Sequence, residues 1–119
     1  ENLIILQIER RQALEEIEGI LSVPGVGATI IGPNDLALSL GVQSDDMLAA
    51  LEGPIQRVLD ACLEQRIPSG IHIGNLEWLT EWQHRGMQLL CYSNDINFLR
   101  TGAANGIQWL RDREKTLTS

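Results

Sequence analysis

The chain has 119 residues, a net charge of −7 and a hydrophobic fraction of 44%. That length allows one domain or less, and that much apolar material excludes a disordered tail. An acidic chain without a basic cluster is a poor ligand for nucleic acid or for an anionic membrane surface, so neither partner is expected. No apolar run approaches the ~20 residues that a membrane-spanning helix needs. The N-terminus, Glu1-Asn2, lacks a basic leader and an initiator Met, and reads as the end of a cut or processed chain. Cys62 and Cys91 are far apart in the sequence, form no CxxC pair and have no His beside them. They read as two buried thiols in a reducing compartment, which points to the cytoplasm.

Leu3 to Ile8 is a short, β-branched apolar run that predicts a buried strand. A helix follows, with Ala13, Leu14, Ile17, Ile20 and Leu21 on one face and Glu15, Glu16 and Glu18 on the other. Pro24-Gly25 ends it. Ala28 to Ile31 predicts a second strand, stopped by the turn formers Gly32-Pro33-Asn34-Asp35. A helical turn is expected over Leu36 to Leu40, closed by Gly41. Ser44-Asp45-Asp46 reads as the start of a helix running to Arg66. Leu48, Leu51, Ile55, Val58, Leu59, Cys62 and Leu63 would lie on its buried side, and Gly53-Pro54 predicts a break or a kink.

Pro68 to Ile73 predicts a third strand. Asn75 can cap the next helix, with Leu76, Leu79 and Trp82 inward and Gly86 as its stop. Gln88 to Tyr92 is the fourth strand, and Asn94 or Asp95 caps a last helix with Ile96, Leu99, Ala103 and Ile107 along one stripe. Strands and helices therefore alternate in four βα units, which means an α/β fold with a parallel sheet. Four units are half of a (β/α)8 barrel, whose full length is ~250 residues. On pattern alone, a small open doubly wound sheet fits equally well.

Ligands of parallel α/β folds sit at the C-terminal ends of the strands. The first strand ends in Gln7 and Glu9, and the second in Asn34 and Asp35. His72 lies near the end of the third, and Ser93, Asn94 and Asp95 follow the fourth. Adjacent strands lie ~4.8 Å apart, so Glu9 and Asp35, one βα unit apart, can reach one ion. Two carboxylates with room for water and substrate oxygens suit Mg2+ or Mn2+. From spacing alone the plainer reading is stronger: Glu9 starts a helix and Asp35 caps a turn. The backbone N–H groups of Asn34, Asp35 and Leu36 could also receive a carboxylate, although an ordinary turn explains that loop too. No P-loop, dinucleotide fingerprint, HExxH motif or serine elbow is present. His72 reads either as a pocket residue or as a hydrogen-bonded structural one. His84 reads as surface, and Trp78, Trp82 and Trp109 as packing or subunit-contact residues.

The run Leu6-Gln7-Ile8-Glu9, then Ile17-Glu18-Gly19-Ile20-Leu21, Val23-Pro24-Gly25-Val26, and Ile30-Ile31-Gly32-Pro33-Asn34-Asp35-Leu36 with Ser39-Leu40-Gly41, resembles the HpcH/HpaI aldolase family. Gly70-Ile71 and Tyr92-Ser93-Asn94-Asp95 match it more loosely. The resemblance implies the C-terminal half of a (β/α)8 barrel, with residues 1–119 a single partial domain. It implies a homo-oligomer, hexameric in the family, with the last helix exchanged between subunits. It also implies a metal-dependent aldolase that cleaves or forms 4-hydroxy-2-oxo acids, with pyruvate and an aldehyde as partners. Carried over, Glu9 and Asp35 match the ligands of Mg2+ or Mn2+, with Co2+ a further candidate. Gln7 lies near pyruvate, and the backbone from Gly32 through Pro33 and Asn34 to Asp35 holds its carboxylate. His72 stands where the family often has an apolar residue, near the aldehyde end of the pocket. The family's catalytic Arg and His come from the first half of the barrel, which this chain does not match. Two other readings remain: an inactive half-barrel serving as a structural or ligand-binding module, and a citrate-lyase β-type lyase acting on acyl-CoA.

Overall fold

The computed structural model describes residues 2–42 and 47–117. The helix start expected at Ser44-Asp45-Asp46 lies outside the described residues. Strand β1 (Ile4–Ile8) leads into helices α1 (Arg11–Glu15) and α2 (Ile17–Leu21). Strand β2 (Val26–Ile31) is followed by α3 (Pro33–Leu40) and α4 (Met47–Gln65). Strand β3 (Gly70–Ile73) and α5 (Leu76–Arg85) precede β4 (Leu89–Tyr92) and α6 (Asp95–Leu117). The four strands form one sheet in the order β1-β2-β3-β4, every pair parallel. Sequential order with helical crossovers is what alternating βα units require.

Two helices stand where the sequence predicts one, separated by Glu16. The Arg57 guanidinium takes the Leu14 carbonyl at 3.0 Å, an acceptor that an uninterrupted helix would give to Glu18 N. Helix α4, by contrast, runs through Gly53-Pro54 as one element. Pro54 leaves the Ala50 carbonyl without its usual donor. Ala50 is exposed, so water can take that carbonyl. Gly41 and Gly86 close α3 and α5 at φ of 74° and 119°, a left-handed conformation that costs other residues more. Asn75 caps α5, its Oδ1 accepting from Trp78 N at 2.8 Å.

One face of the sheet is packed. Ile8, Ile31 and Ile71, in register across β1, β2 and β3, meet Ile17, Leu21, Leu36, Leu51, Ile55, Val58 and Leu59 from the helices. Each such side chain contributes about 1.5–3 kcal/mol on burial. Thr29 is buried on this face beside Cys62, with Oγ1 and Sγ 3.3 Å apart. Trp82 is buried against Trp78, its ring centroid 5.8 Å away, and under the Arg85 guanidinium at 4.7 Å. The pairing of Arg85 with Glu52 and Glu81 raises its pKa further.

The opposite face is open, and this changes several expectations. Cys91 is exposed: β4 is the last strand of the sheet, and no described residue covers that side of it. The predicted stripe on α6 is exposed too: Ile96 is 64% and Leu99 76% accessible. Helix α6 projects from the body instead of folding back on the sheet. The radius of gyration is accordingly 18.7 Å, against about 13–14 Å for a compact chain of this length. Leu63 and Leu76, both expected inward, are 52% and 57% exposed at the margins of the buried stripes of α4 and α5. Among the described residues no helix is long and apolar enough to cross a membrane.

Candidate active site

The strand ends carry the polar residues that the sequence singles out. Residues two apart in a strand point the same way. Gln7 Nε2 donates to Glu9 Oε2 at 2.7 Å, which orients the half-buried carboxylate just past β1. Gly32 lies against this pair, with its backbone N–H donating to the Ile8 carbonyl at 3.3 Å. Its backbone is extended, so the glycine serves here as space. A Cβ at Gly32 would lie 3.0 Å from Gln7 Nε2 and 3.5 Å from Glu9 Oε2.

Pro33 opens α3, where its missing N–H costs nothing. Leu36 N already donates to the Gly32 carbonyl at 3.0 Å. The expectation that Leu36 could bind an anion is therefore corrected. Asn34 and Asp35, in the first turn, have no carbonyl behind them, and their N–H groups are the donors the loop offers. Arg11 locks the two halves of the site together. Its backbone N–H donates to Ser39 Oγ at 2.9 Å, and its guanidinium donates to the Leu40 carbonyl at 2.8 Å. The start of α1, two residues past Glu9, is thereby fixed to the end of the helix that Asp35 opens.

Two hollows meet at Asp35. One, of about 290 Å3, brings together Gln7, Gly32, Pro33, Asn34, Asp35 and His72. The other, of about 350 Å3, is lined by Glu9, Arg10, Gln12 and Asp35. Asp35 thus borders both the hollow that Glu9 lines and the strand-end hollow. The donor set is two carboxylates with the Gln7 amide oxygen nearby. Hard oxygen donors of this kind fit Mg2+ or Mn2+, ions that keep open positions for water and substrate. Among the described residues, no group of three His, Cys, Asp or Glu side chains gathers there.

His72 projects from the open face of β3, and its Nε2 lies 2.7 Å from the Ser93 carbonyl. A carbonyl partner makes Nε2 the protonated nitrogen and leaves Nδ1 as an acceptor. Ser93 itself is held at φ 57°, a conformation uncommon for a residue with a Cβ. The β3–β4 register also sets Cys91 opposite His72, a pairing hidden by their separation in sequence. His84 is exposed, as expected.

The lining residues Arg10, Gln12, Leu38, Gly74 and Asn97 were not singled out from the sequence. Asn97 had a legible signal. It sits three residues after Asn94, which caps α6 by accepting from Asn97 N at 2.9 Å. The i, i+3 spacing returns its side chain to the cap's side of the helix.

Residues 1–75 match the family model described as HpcH/HpaI aldolase/citrate lyase. The chain is 28% identical over 107 residues to the hydroxypyruvate/pyruvate aldolase of Paraburkholderia phytofirmans, covering 90% of this chain and 41% of that protein. Among solved structures it resembles an HpcH/HpaI aldolase/citrate lyase family protein from Burkholderia cenocepacia, at TM-score 0.84 and 30% identity over 92% of this chain and 42% of that one. An HpcH/HpaI aldolase from Desulfitobacterium hafniense matches at TM-score 0.82 and 31% identity, with the same coverage. The chain spans about two fifths of the length of the curated relatives it matches. The parallel sheet and its helices are thus part of a TIM-type barrel, and the chain belongs to the HpcH/HpaI aldolase/citrate lyase family.

Proposed function

We propose that this chain carries the metal- and 2-oxo-acid-binding part of a class II aldolase that cleaves or forms 4-hydroxy-2-oxo acids. Residues 1–119 would be a single partial domain, the C-terminal half of its barrel. The observation that carries the reading is the junction at Asp35. One carboxylate borders both the Glu9 depression and the hollow formed by Gln7, Asn34 and His72. Aldolases of this family generally depend on a divalent metal.

Glu9 and Asp35 would hold Mg2+ or Mn2+, with Gln7 keeping Glu9 in place. The ion supplies Lewis acidity toward a 2-oxo acid's keto and carboxylate oxygens. The Asn34 and Asp35 N–H groups, at the positive end of α3, receive the substrate carboxylate. His72, which lines the same hollow, would stand near the aldehyde end. Pyruvate is the 2-oxo acid favoured, supported by the name of the Paraburkholderia relative. The complete protein would be a homo-oligomer, a reading supported by the uncovered apolar stripe of α6.

Calorimetric titration of the metal-free chain with Mn2+, with and without pyruvate, tests this. Saturable binding that tightens with pyruvate and disappears in Glu9→Gln or Asp35→Asn is the expected result. Unchanged Mn2+ binding in both variants would sink the assignment. Absence of binding in the parent chain would mean either that the site forms only with the rest of the barrel or that the structural-module reading takes the lead.

A further inference from the structure

The hollow of about 350 Å3 that Glu9 and Asp35 share has two walls. Glu9, Arg10 and Gln12 form one, on the segment that leads from β1 into α1. Asp35, Leu38 and Ser39 form the other, along α3. The sheet fixes where both walls begin, because Ile8 and Ile31 are register partners and Gly32 N donates to the Ile8 carbonyl. It does not fix how they run from there. Glu9 lies just past β1, and Asp35 lies beyond β2 in the first turn of α3. A swing or a roll of that eight-residue helix redirects the Asp35 carboxylate. Oxygen ligands of Mg2+ stand at about 2.0–2.1 Å, so a site loose by about 1 Å binds the ion poorly.

Arg11 supplies what the sheet does not. Helix α1 has only five residues, and its N-cap, Arg10, makes no side-chain capping bond. The Arg11 N–H is one of the donors left over at a helix start. It donates to Ser39 Oγ at 2.9 Å, so a hydroxyl on α3 caps α1. At the other end of α3, Gly41 N and Val42 N take the Leu38 and Ala37 carbonyls at 3.1 and 3.0 Å. The Leu40 carbonyl accepts from the Arg11 guanidinium at 2.8 Å. Arg11 therefore receives a cap from α3 and gives one back, across 28 and 29 positions of sequence. Ser39 also lines the hollow, so this clasp closes the end of the space that the two carboxylates border.

We propose that Arg11 and Ser39 are positioning residues of the metal site, whose reciprocal cap holds the Glu9 wall against the Asp35 wall and sets the two carboxylates for one divalent ion. The link to a metal rests on the proposed aldolase site. Both residues act through Glu9 and Asp35. The sign of the effect separates this role from a purely electrostatic one. A guanidinium repels a nearby divalent cation, so removal of its charge alone would tighten metal binding. Removal of the clasp loosens it.

Two experiments separate the clasp from the metal reading. In the first, Mn2+ is titrated calorimetrically into Arg11→Met, Ser39→Ala and Ser39→Thr. Arg11 and Ser39 are exposed, so none of these changes touches the core. Affinity should fall about three- to tenfold in Arg11→Met and Ser39→Ala, the worth of one hydrogen bond. Ser39→Thr keeps the hydroxyl and should retain the parent affinity. Parent affinity in Ser39→Ala, or tighter binding in Arg11→Met, overturns the proposal. So does a lowered urea midpoint with Mn2+ affinity unchanged, which is the signature of a merely structural bond.

In the second, 15N relaxation of the metal-free chain is read at the Glu9, Arg10 and Asp35 amides. These should be rigid in the parent chain and in Ser39→Thr, and more mobile in Arg11→Met and Ser39→Ala. Unchanged order parameters overturn the clasp. Failure of the parent chain to bind Mn2+ counts against the metal reading instead, while the relaxation data still decide whether Arg11 and Ser39 hold the two walls together.

Discussion

Gln7 and Glu9 are joined side chain to side chain at 2.7 Å across the end of β1, and Gly32 on β2's exit is the neighbour that leaves them room. Replacing Gly32 with Ala would place a methyl 3.0 Å from Gln7 Nε2. Gln7 must then swing away and release Glu9. A lost hydrogen bond to a carboxylate costs about 1.5–3 kcal/mol. Mn2+ affinity in Gly32→Ala should fall about tenfold or more by calorimetry, while the urea midpoint barely moves. Unchanged Mn2+ affinity would mean that Gln7 does not orient Glu9.

Gly70 is needed for a different contact. A Cβ there would run into the backbone carbonyl of Leu89, its register partner on β4. Backbone cannot turn aside as a side-chain tip can. Gly70→Ala should therefore part β3 from β4 and destabilise the chain by about 3 kcal/mol or more. Amide exchange would show lost protection at Ile71 to Ile73. Wild-type protection there would contradict the placement of β4.

Burial pushes the Cys62 thiol above its ordinary value of 9.0, and the Thr29 hydroxyl at 3.3 Å only partly offsets this. The unfolded thiol ionises from about pH 9 upward while the folded one stays protonated. Above pH 9 the unfolded state therefore binds fewer protons, and stability falls as pH rises. Below pH 9 the contribution is fully present. Urea unfolding from pH 7 to 10.5 should show this downward slope in the parent chain and a shallower one in Cys62→Ala. Equal slopes would show that Cys62 does not titrate differently in the two states.

Gly53 sits inside α4 with nothing within 4 Å of where a Cβ would stand. Alanine costs less backbone entropy than glycine in a helix interior. Gly53→Ala should stabilise the chain by about 0.5–1 kcal/mol, read as a raised urea midpoint with an unchanged slope. A lowered midpoint would mean that Gly53 is packed against something.

The alternation of β-branched runs and amphipathic helices was enough to specify a parallel α/β sheet, because short apolar runs and period-3.6 patterns are local properties. The caps were legible for the same reason: Asn75, Gly41 and Gly86 each act within a few residues of their own position. The positions of Glu9, Asp35, Gln7 and the Gly32 loop at strand ends were legible too, since strand ends carry the sites of parallel folds and the family match covers them; their roles are the proposal made above.

The tertiary structure decided what depends on groups distant in sequence. The break at Glu16 follows from Arg57 reaching the Leu14 carbonyl. The removal of Leu36 as an anion donor follows from its bond to Gly32. Cys91 lies opposite His72 only because β3 and β4 pair. Helix α6 carries a stripe that any periodicity reading assigns to a core, yet it projects uncovered. Periodicity records that a face is apolar, and only the packed structure shows what lies against it.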